Sequence, residues 1–285
     1  MAKDEIKSGE LSRDRAERYL IKALKDKNWE VRAAAVKSLG KLSNKKVINS
    51  LINMLRDTEG IVRAEAAESI ALILGFDSIP VFIPMLTDED RLVRFSLVGN
   101  ILPELIASLR FKKQELAPEI KSELIENVIG LLKDKDKDIS CGATILLTEI
   151  GGETVVGPLV EALEDKRTVV VSYVISALGK LKVKDVIPQL IKFLKHKKQP
   201  IRLSSAVALG EIGDIGVIPH LKKALNDEDE EVREAIKEVL NKIKSEPLEI
   251  LEILEKDPLK ILKLRLAKGE ISLEEYEKLK KAIED

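Results

Sequence analysis

A hydrophobic residue followed by one marked position recurs at Val31-Arg32, Val62-Arg63, Val93-Arg94, Ile139-Ser140, Val170-Val171, Ile201-Arg202 and Val232-Arg233. Successive spacings are 31, 31, 46, 31, 31 and 31 residues, and 46 is one period plus 15. Seven units therefore share a period, the fourth carrying an insertion. Three further columns keep the register. Leu39, Ile70, Ile101, Leu147, Leu178, Leu209 and Leu240 follow the marked position by seven. Fifteen residues before each stand Leu24, Leu55, Leu86, Leu132, Leu163, Leu194 and Leu225, and four earlier Leu20, Leu51, Phe82, Val128, Leu159, Leu190 and Leu221. Within each half-unit these spacings are helical. Pro80, Pro188 and Pro219 share a column at a predicted helix start, where a missing N–H costs least. Gly40, Gly179 and Gly210 share one near a predicted helix end, as a C-cap would require. Each unit is two antiparallel helices that cannot bury an apolar face without neighbours, so the expected fold is an all-α solenoid.

Composition narrows the setting. Lys and Arg number 48 against 49 Asp and Glu, which excludes a general electrostatic pull toward nucleic acid or anionic membrane. One cysteine, Cys141, offers no disulfide framework. The opening "MAKDEIKSGELS" lacks the apolar run of a signal peptide. The least charged stretch, Ile70 to Leu86, is punctuated by Gly75, Pro80 and Pro84, which argues against a membrane span. A soluble cytoplasmic protein with no membrane association is expected, with a thermophile-like abundance of Lys, Glu and Ile.

Asp26, Asp57, Asp88, Asp134, Asp165 and Asp227 each lie six residues before the marked position, with His196 in the slot once. Aspartate at the turn, then Val-Arg and an Ala-rich helix, as in "RDTEGIVRAEAAESI", resembles HEAT repeats. The short period and "ALGEIGDIGVIPHLKKAL" resemble the HEAT-like units of phycobilisome-lyase type. The resemblance covers residues 13 to 256 and implies a right-handed solenoid of about seven repeats. It also implies a structural ladder between adjacent repeats, built from Asp26, Arg32, Asp57, Arg63, Asp88, Arg94, Arg202, Asp227 and Arg233. Because Asp134 is matched by Ser140 and Asp165 by Val171, a softer joint is expected at units four and five.

In such solenoids the second helices line the concave side. Their non-core column reads Asn53, Pro84, Gly130, Glu161, Lys192 and Lys223, and with Lys195 and Lys222 it makes a locally basic C-terminal half. Acidic protein segments or phosphates would be drawn there. In the N-terminal half, "SIALILGFDSIPVFIPML" is apolar nearly all round and contains Phe82 and Met85, read either as a dense core or as a patch for a partner. The insertion near 103–117, which contains Phe111-Lys112-Lys113, is a candidate recognition element.

The tail changes character. Leu259, Leu262 and Leu266 share one helical stripe, Gly269 ends that helix, and Ser272-Leu-Glu-Glu275 forms a capping box. Leu273, Tyr276 and Leu279 then line a second helix. With its Leu-Ala-Lys-Gly-Glu-Ile-Ser centre, this segment resembles the short C-terminal (SHOCT) domain. Two helices in so few residues need something to dock on: the array, a second copy or another protein. The expected organisation is a solenoid over 1–256 and a docking or self-association hairpin over 257–285.

Catalytic groups are scarce. His196 and His220 are the only histidines, and neither is followed by glutamate, unlike the His-Glu pairs of HEAT-type iron hydroxylases. One cysteine cannot build a structural metal site, and "GEIGDIG" lies between helices rather than after a strand. No cofactor, metal or catalytic residue is expected. The sequence points to a protein-interaction scaffold. The alternatives are a nucleic-acid binder using the lysine column and, by resemblance alone, a bilin-lyase-like carrier of a small molecule.

Overall fold

The computed structural model describes residues 14–254, Leu259 and 272–284, which contain helices and no strand. The chain divides into two compact units, Met1–Leu181 and Lys182–Asp285. The expected boundary at 256/257 falls inside the second.

The first unit contains helical residues 14–23 (α1), α2 (Trp29–Lys41), α3 (Ile48–Met54), α4 (Gly60–Leu74), α5 (Ile79–Phe82) and α6 (Arg91–Ser96). It continues with α7 (Leu102–Phe111), α8 (Pro118–Leu131), α9 (Lys137–Ile150), α10 (Val156–Ala162) and α11 (Thr168–Lys180). The second unit contains α12 (Ile187–Phe193), α13 (Gln199–Ile212), α14 (Ile218–Ala224), α15 (Glu230–Leu254) and α16 (Leu273–Glu284).

Successive first helices pack side by side, α2 on α4, α4 on α6, α9 on α11 and α13 on α15, while α3, α8, α10, α12 and α14 each pack on the first helix that follows. The apolar columns are the core. Leu39, Ile70, Leu147, Leu178 and Leu209 are fully buried, as are Leu51, Phe82, Leu159, Leu190 and Leu221. A single 3-10 turn leads into most second helices, for example Lys184–Val186 and Ile215–Val217. Pro80, Pro188 and Pro219 occupy the first turn of α5, α12 and α14, as their column predicts.

The glycine column has another role. Gly40, Gly179 and Gly210 lie inside α2, α11 and α13. The left-handed residues come three positions later, at Ser43 (φ 50°), Lys182 (φ 54°) and Gly213 (φ 74°). A Cβ on Gly40 would stand 2.7 Å from Ser69 Cβ, and one on Gly210 2.7 Å from a Val239 methyl. Gly40 and Gly210 are contact points between neighbouring first helices, not caps. Ser69 seals the first contact by donating to the Val36 carbonyl at 3.1 Å. Gly40→Ala is expected to destabilise by about 1–2 kcal/mol despite its better helix propensity, because the clash outweighs the backbone gain. Thermal unfolding checks this: an unchanged or higher Tm would show that α2 and α4 separate freely.

The insertion lengthens the third hairpin rather than the fourth. α6 runs through a π-turn, Leu97–Ile101, into α7, and a correspondingly long α8 returns. Pro103 explains the π-turn. It cannot donate to Gly99 and its ring would crowd that carbonyl, so the preceding turn widens and Leu102 N–H bonds Leu97 O instead. The added length packs α7 on the Gly75–Ser78 turn and α8 on Ile83–Thr87. This covers the all-round apolar segment. Phe82 is therefore fully buried and Met85 is 8% exposed, which withdraws both as partner-facing residues.

Two stretches, Gly60–Thr87 and Arg91–Phe111, are long and apolar enough to cross a membrane by composition. The first is no continuous rod, since α4 ends at Gly75 with φ 59°. In the second, Val93, Leu97, Val98, Leu102 and Leu105 are buried in the repeat core.

The ladder joins each arginine to the next repeat's aspartate. Arg32 meets Asp57, Arg63 meets Asp88, Arg94 meets Asp134 and Arg202 meets Asp227, through Nε at 2.7–2.8 Å and Nη2 at 2.7–3.3 Å. In each rung Nη1 donates to carbonyls of its own preceding turn, as Arg63 does to Asp57 and Thr58. Each aspartate also caps its turn, Asp57 accepting from Glu59 N–H and Asp227 from Asp229 N–H. Burial alone would raise the Asp57 and Asp227 carboxyls, but these bonds outweigh it and hold both below the usual carboxylate range. Among the described residues Arg233 reaches its own turn's carbonyls and no aspartate of another repeat.

The expected lapse at Ser140 does not occur. Arg167 reaches back from the following turn, its Nη1 donating to Asp134 O at 2.6 Å and its Nε and Nη2 to Asp165 at 3.0 and 2.7 Å. Those are the acceptors an arginine at 140 would have met. Ser140, fully buried, adds a hydroxyl bond to Asp134 O. The next rung has neither charge, with Val171 and His196 in its two slots.

Candidate functional site

The second unit contains a cleft of about 790 Å³ whose lining includes Ile191, Lys192, Leu194, Lys195, His196, Lys197, Arg202, His220, Lys223, Ala224, Asn226, Asp227 and Glu228. Its position follows from the repeat. α12 and α14 are second helices of successive repeats, and their C-terminal ends and the turns after them line it together. The core leucines of α12 hold its buried side down, leaving Lys192 exposed, and Lys223 is likewise exposed on α14. Lysines in a last helical turn also complement the negative helix end.

The floor is apolar, from Ile191, Leu194 and Ala224, and the rim is charged. Arg202 is committed to its rung and to Glu228 at 3.2 Å, so Asp227 and Arg202 neutralise one another. Among the described residues, Lys192, Lys195, Lys197 and Lys223 make no ion pair. His196 takes the aspartate's place in its turn: its Nδ1 accepts the Lys198 N–H at 3.1 Å, as the carboxylates do elsewhere.

Of the four lysines expected here, the structure brings Lys192, Lys195 and Lys223 into the cleft and leaves Lys222 outside its lining. His196 and His220, which the sequence reading set apart in different units, line one cleft. The signal was present: His196 occupies the aspartate column and His220 precedes the Leu221 core site, and that pairing faces a turn across to the next second helix.

Elsewhere the predicted groups divide. Phe111 is 90% exposed at the tip of the inserted hairpin and Leu72 is 71% exposed. Lys112 Nζ lies 5.1 Å from the centre of the Phe76 ring. In the tail, the capping box is formed, with Ser272 N–H donating to Glu275 and Glu275 N–H to Ser272 Oγ. Tyr276 is buried and Leu279 is 42% exposed. Leu262 and Leu266 lie outside the described residues, as does the Leu273 side chain. Cys141 is buried, which pushes its thiol up to about 11. Among the described residues no group of three or more His, Cys, Asp or Glu side chains could hold a metal ion.

A family model described as HEAT repeats matches residues 7–71 and 156–241, more than half of the chain, and a short C-terminal domain model matches 257–284. Among solved structures, YibA of E. coli is 27% identical with a TM-score of 0.59, the match covering 81% of this chain and 82% of that one. Importin beta is 17% identical with a TM-score of 0.59, covering 79% of this chain and 35% of that one. Kap95p, from a structure concerning its binding to RanGDP, is 13% identical with a TM-score of 0.61, covering 79% and 34%. The last two show likeness of fold, across about a third of their length. No protein of curated function matches the chain.

Proposed function

The chain belongs to the HEAT-repeat family, a solenoid fold that commonly mediates protein interactions, and from that premise we propose that it is a non-catalytic scaffold. One segment of a partner protein occupies the cleft of the second unit, and the C-terminal hairpin serves for docking or self-association. The observation that supports this best is the cleft itself: an apolar floor with four lysines at its rim that make no ion pair among the described residues, in a repeat fold whose uniform surfaces suit extended partners. The burial of the Cys141 thiol accords with a packing role for it. A cytoplasmic setting accords with the single unpaired cysteine.

The test is affinity capture from a lysate of the source cells. The baits are the full chain and a chain ending at Lys256, each with and without nuclease. A stoichiometric protein retained through nuclease and moderate salt supports the scaffold, and its loss from the shorter bait assigns capture to the hairpin. Nucleic acid as sole companion, released by moderate salt, overturns the reading and makes the lysines a phosphate site.

A further inference from the structure

The turn that forms one wall of the cleft differs from every other turn of the array. At the ladder position six turns carry aspartate, at 26, 57, 88, 134, 165 and 227, each within an acid-containing run such as "DTEG" or "DEDR". The remaining turn reads Lys195-His196-Lys197-Lys198 and contains no acid. The substitution leaves the fold's local bonding intact, because His196 Nδ1 accepts the Lys198 N–H that an aspartate would accept. Its effect is therefore on charge. Lys195 and Lys197 lose the carboxylate that accompanies lysines in the other turns, and Lys192 and Lys223 add their charges across the cleft. The turn also opens α13, whose N-cap residue Lys198 supplies no acceptor to the helix end. An anion there meets unpaired ammonium groups and the positive end of a helix together.

We infer that this cleft is a recognition site for an acidic peptide, a segment with glutamate or aspartate interleaved with aliphatic side chains; the inference rests on the scaffold reading above. The lining favours a peptide over a nucleic acid. Its rings are the two imidazoles of His196 and His220, with no Phe, Tyr or Trp beside them to extend a stacking surface, and its floor of Ile191, Leu194 and Ala224 accepts an aliphatic side chain. The lining also includes Asn226 and Glu228, whose side chain is 86% exposed and pairs with Arg202 at 3.2 Å. The Glu228 carboxylate works against a uniform polyanion, and the Asn226 amide can accept a main-chain N–H. The carboxylates of the segment pair with the lysines, while its backbone lies along Asn226 and Glu228.

The experiment is fluorescence anisotropy with the full chain and three labelled probes: a short peptide of glutamate and leucine, its lysine–leucine counterpart and a short oligothymidylate. The expected result is saturable binding of the acidic peptide alone. His196→Asp is the decisive variant, since it restores the residue found in the other six turns. It should keep the Tm at or above the parent value and weaken the acidic peptide by about tenfold, as should Lys192→Glu with Lys223→Glu. Undiminished binding by His196→Asp, or no binding of the acidic peptide by the parent chain, overturns the inference. If lysate capture still yields a protein partner, the scaffold reading survives that outcome. Oligothymidylate binding that is lost in the double lysine variant overturns both.

Discussion

Arg63→Ala is expected to lower the unfolding free energy by about 3–5 kcal/mol. The magnitude follows from what is left behind. Arg63 and Asp88 side chains are 8% and 12% exposed, and the guanidinium makes four hydrogen bonds, two to Asp88 and one each to the Asp57 and Thr58 carbonyls. Removing it strands a carboxylate and two carbonyls with little access to water. Lysine does not replace it, because one ammonium cannot span a carboxylate in the next repeat and two carbonyls in its own. Urea denaturation of the parent, Arg63→Ala, Asp88→Ala and the double variant measures the coupling. The double variant should lose clearly less than the two singles together. A loss below about 1 kcal/mol for Arg63→Ala would place the rung among ordinary surface ion pairs and remove it as a determinant of stacking.

The second prediction concerns the rung that has moved along the chain. Arg167→Ala is expected to cost about 2–3 kcal/mol, since Asp165 and the Asp134 carbonyl lose one shared donor. Arginine at 140 should then become favourable. In the regular rungs the guanidinium comes from that position, and Arg94 in the preceding rung reaches the Asp88 carbonyl and Asp134 in the same manner. Ser140→Arg in the Arg167→Ala background should recover most of the loss. In the parent background the same substitution should destabilise, because a fully buried serine would give way to a second guanidinium competing for one set of acceptors. The sign of Ser140→Arg should therefore reverse with residue 167. Melting curves of the four chains decide it, and equal effects in both backgrounds would show that the two positions do not serve one site.

The ladder itself illustrates how far a sequence carries. The cross-repeat links at Arg32, Arg63, Arg94 and Arg202 were legible from their columns, whereas Asp26 and Arg233, expected as members, make no cross-repeat pair among the described residues. The apparent gap at Ser140 was not a gap, because the acceptors are defined in space and an arginine two residues past Asp165 reaches them from the other side. The glycine column was equally visible and misleading. A glycine near a helix end usually signals a positive φ, whereas Gly40 and Gly210 are helical and spare a neighbouring helix. The lysines of the second helices pointed to the half of the chain that holds the cleft, and His196 and His220 line it as well. Those two belong to different helical pairs, and neither carried a motif.

By itself the sequence determined the architecture: helical pairs, their period, their core columns, the turn aspartates and the capped tail helix. That information is local and repeated, and an apolar stripe left unpaired within one repeat has nowhere to go except onto the next. Only the tertiary structure decided which arginine completes a rung, why the glycines are glycine, how the insertion covers Phe82, and which charges meet around the cleft. Each of those depends on the distance between backbones from different repeats. Side-chain reach, not position along the chain, selects the partner at that distance.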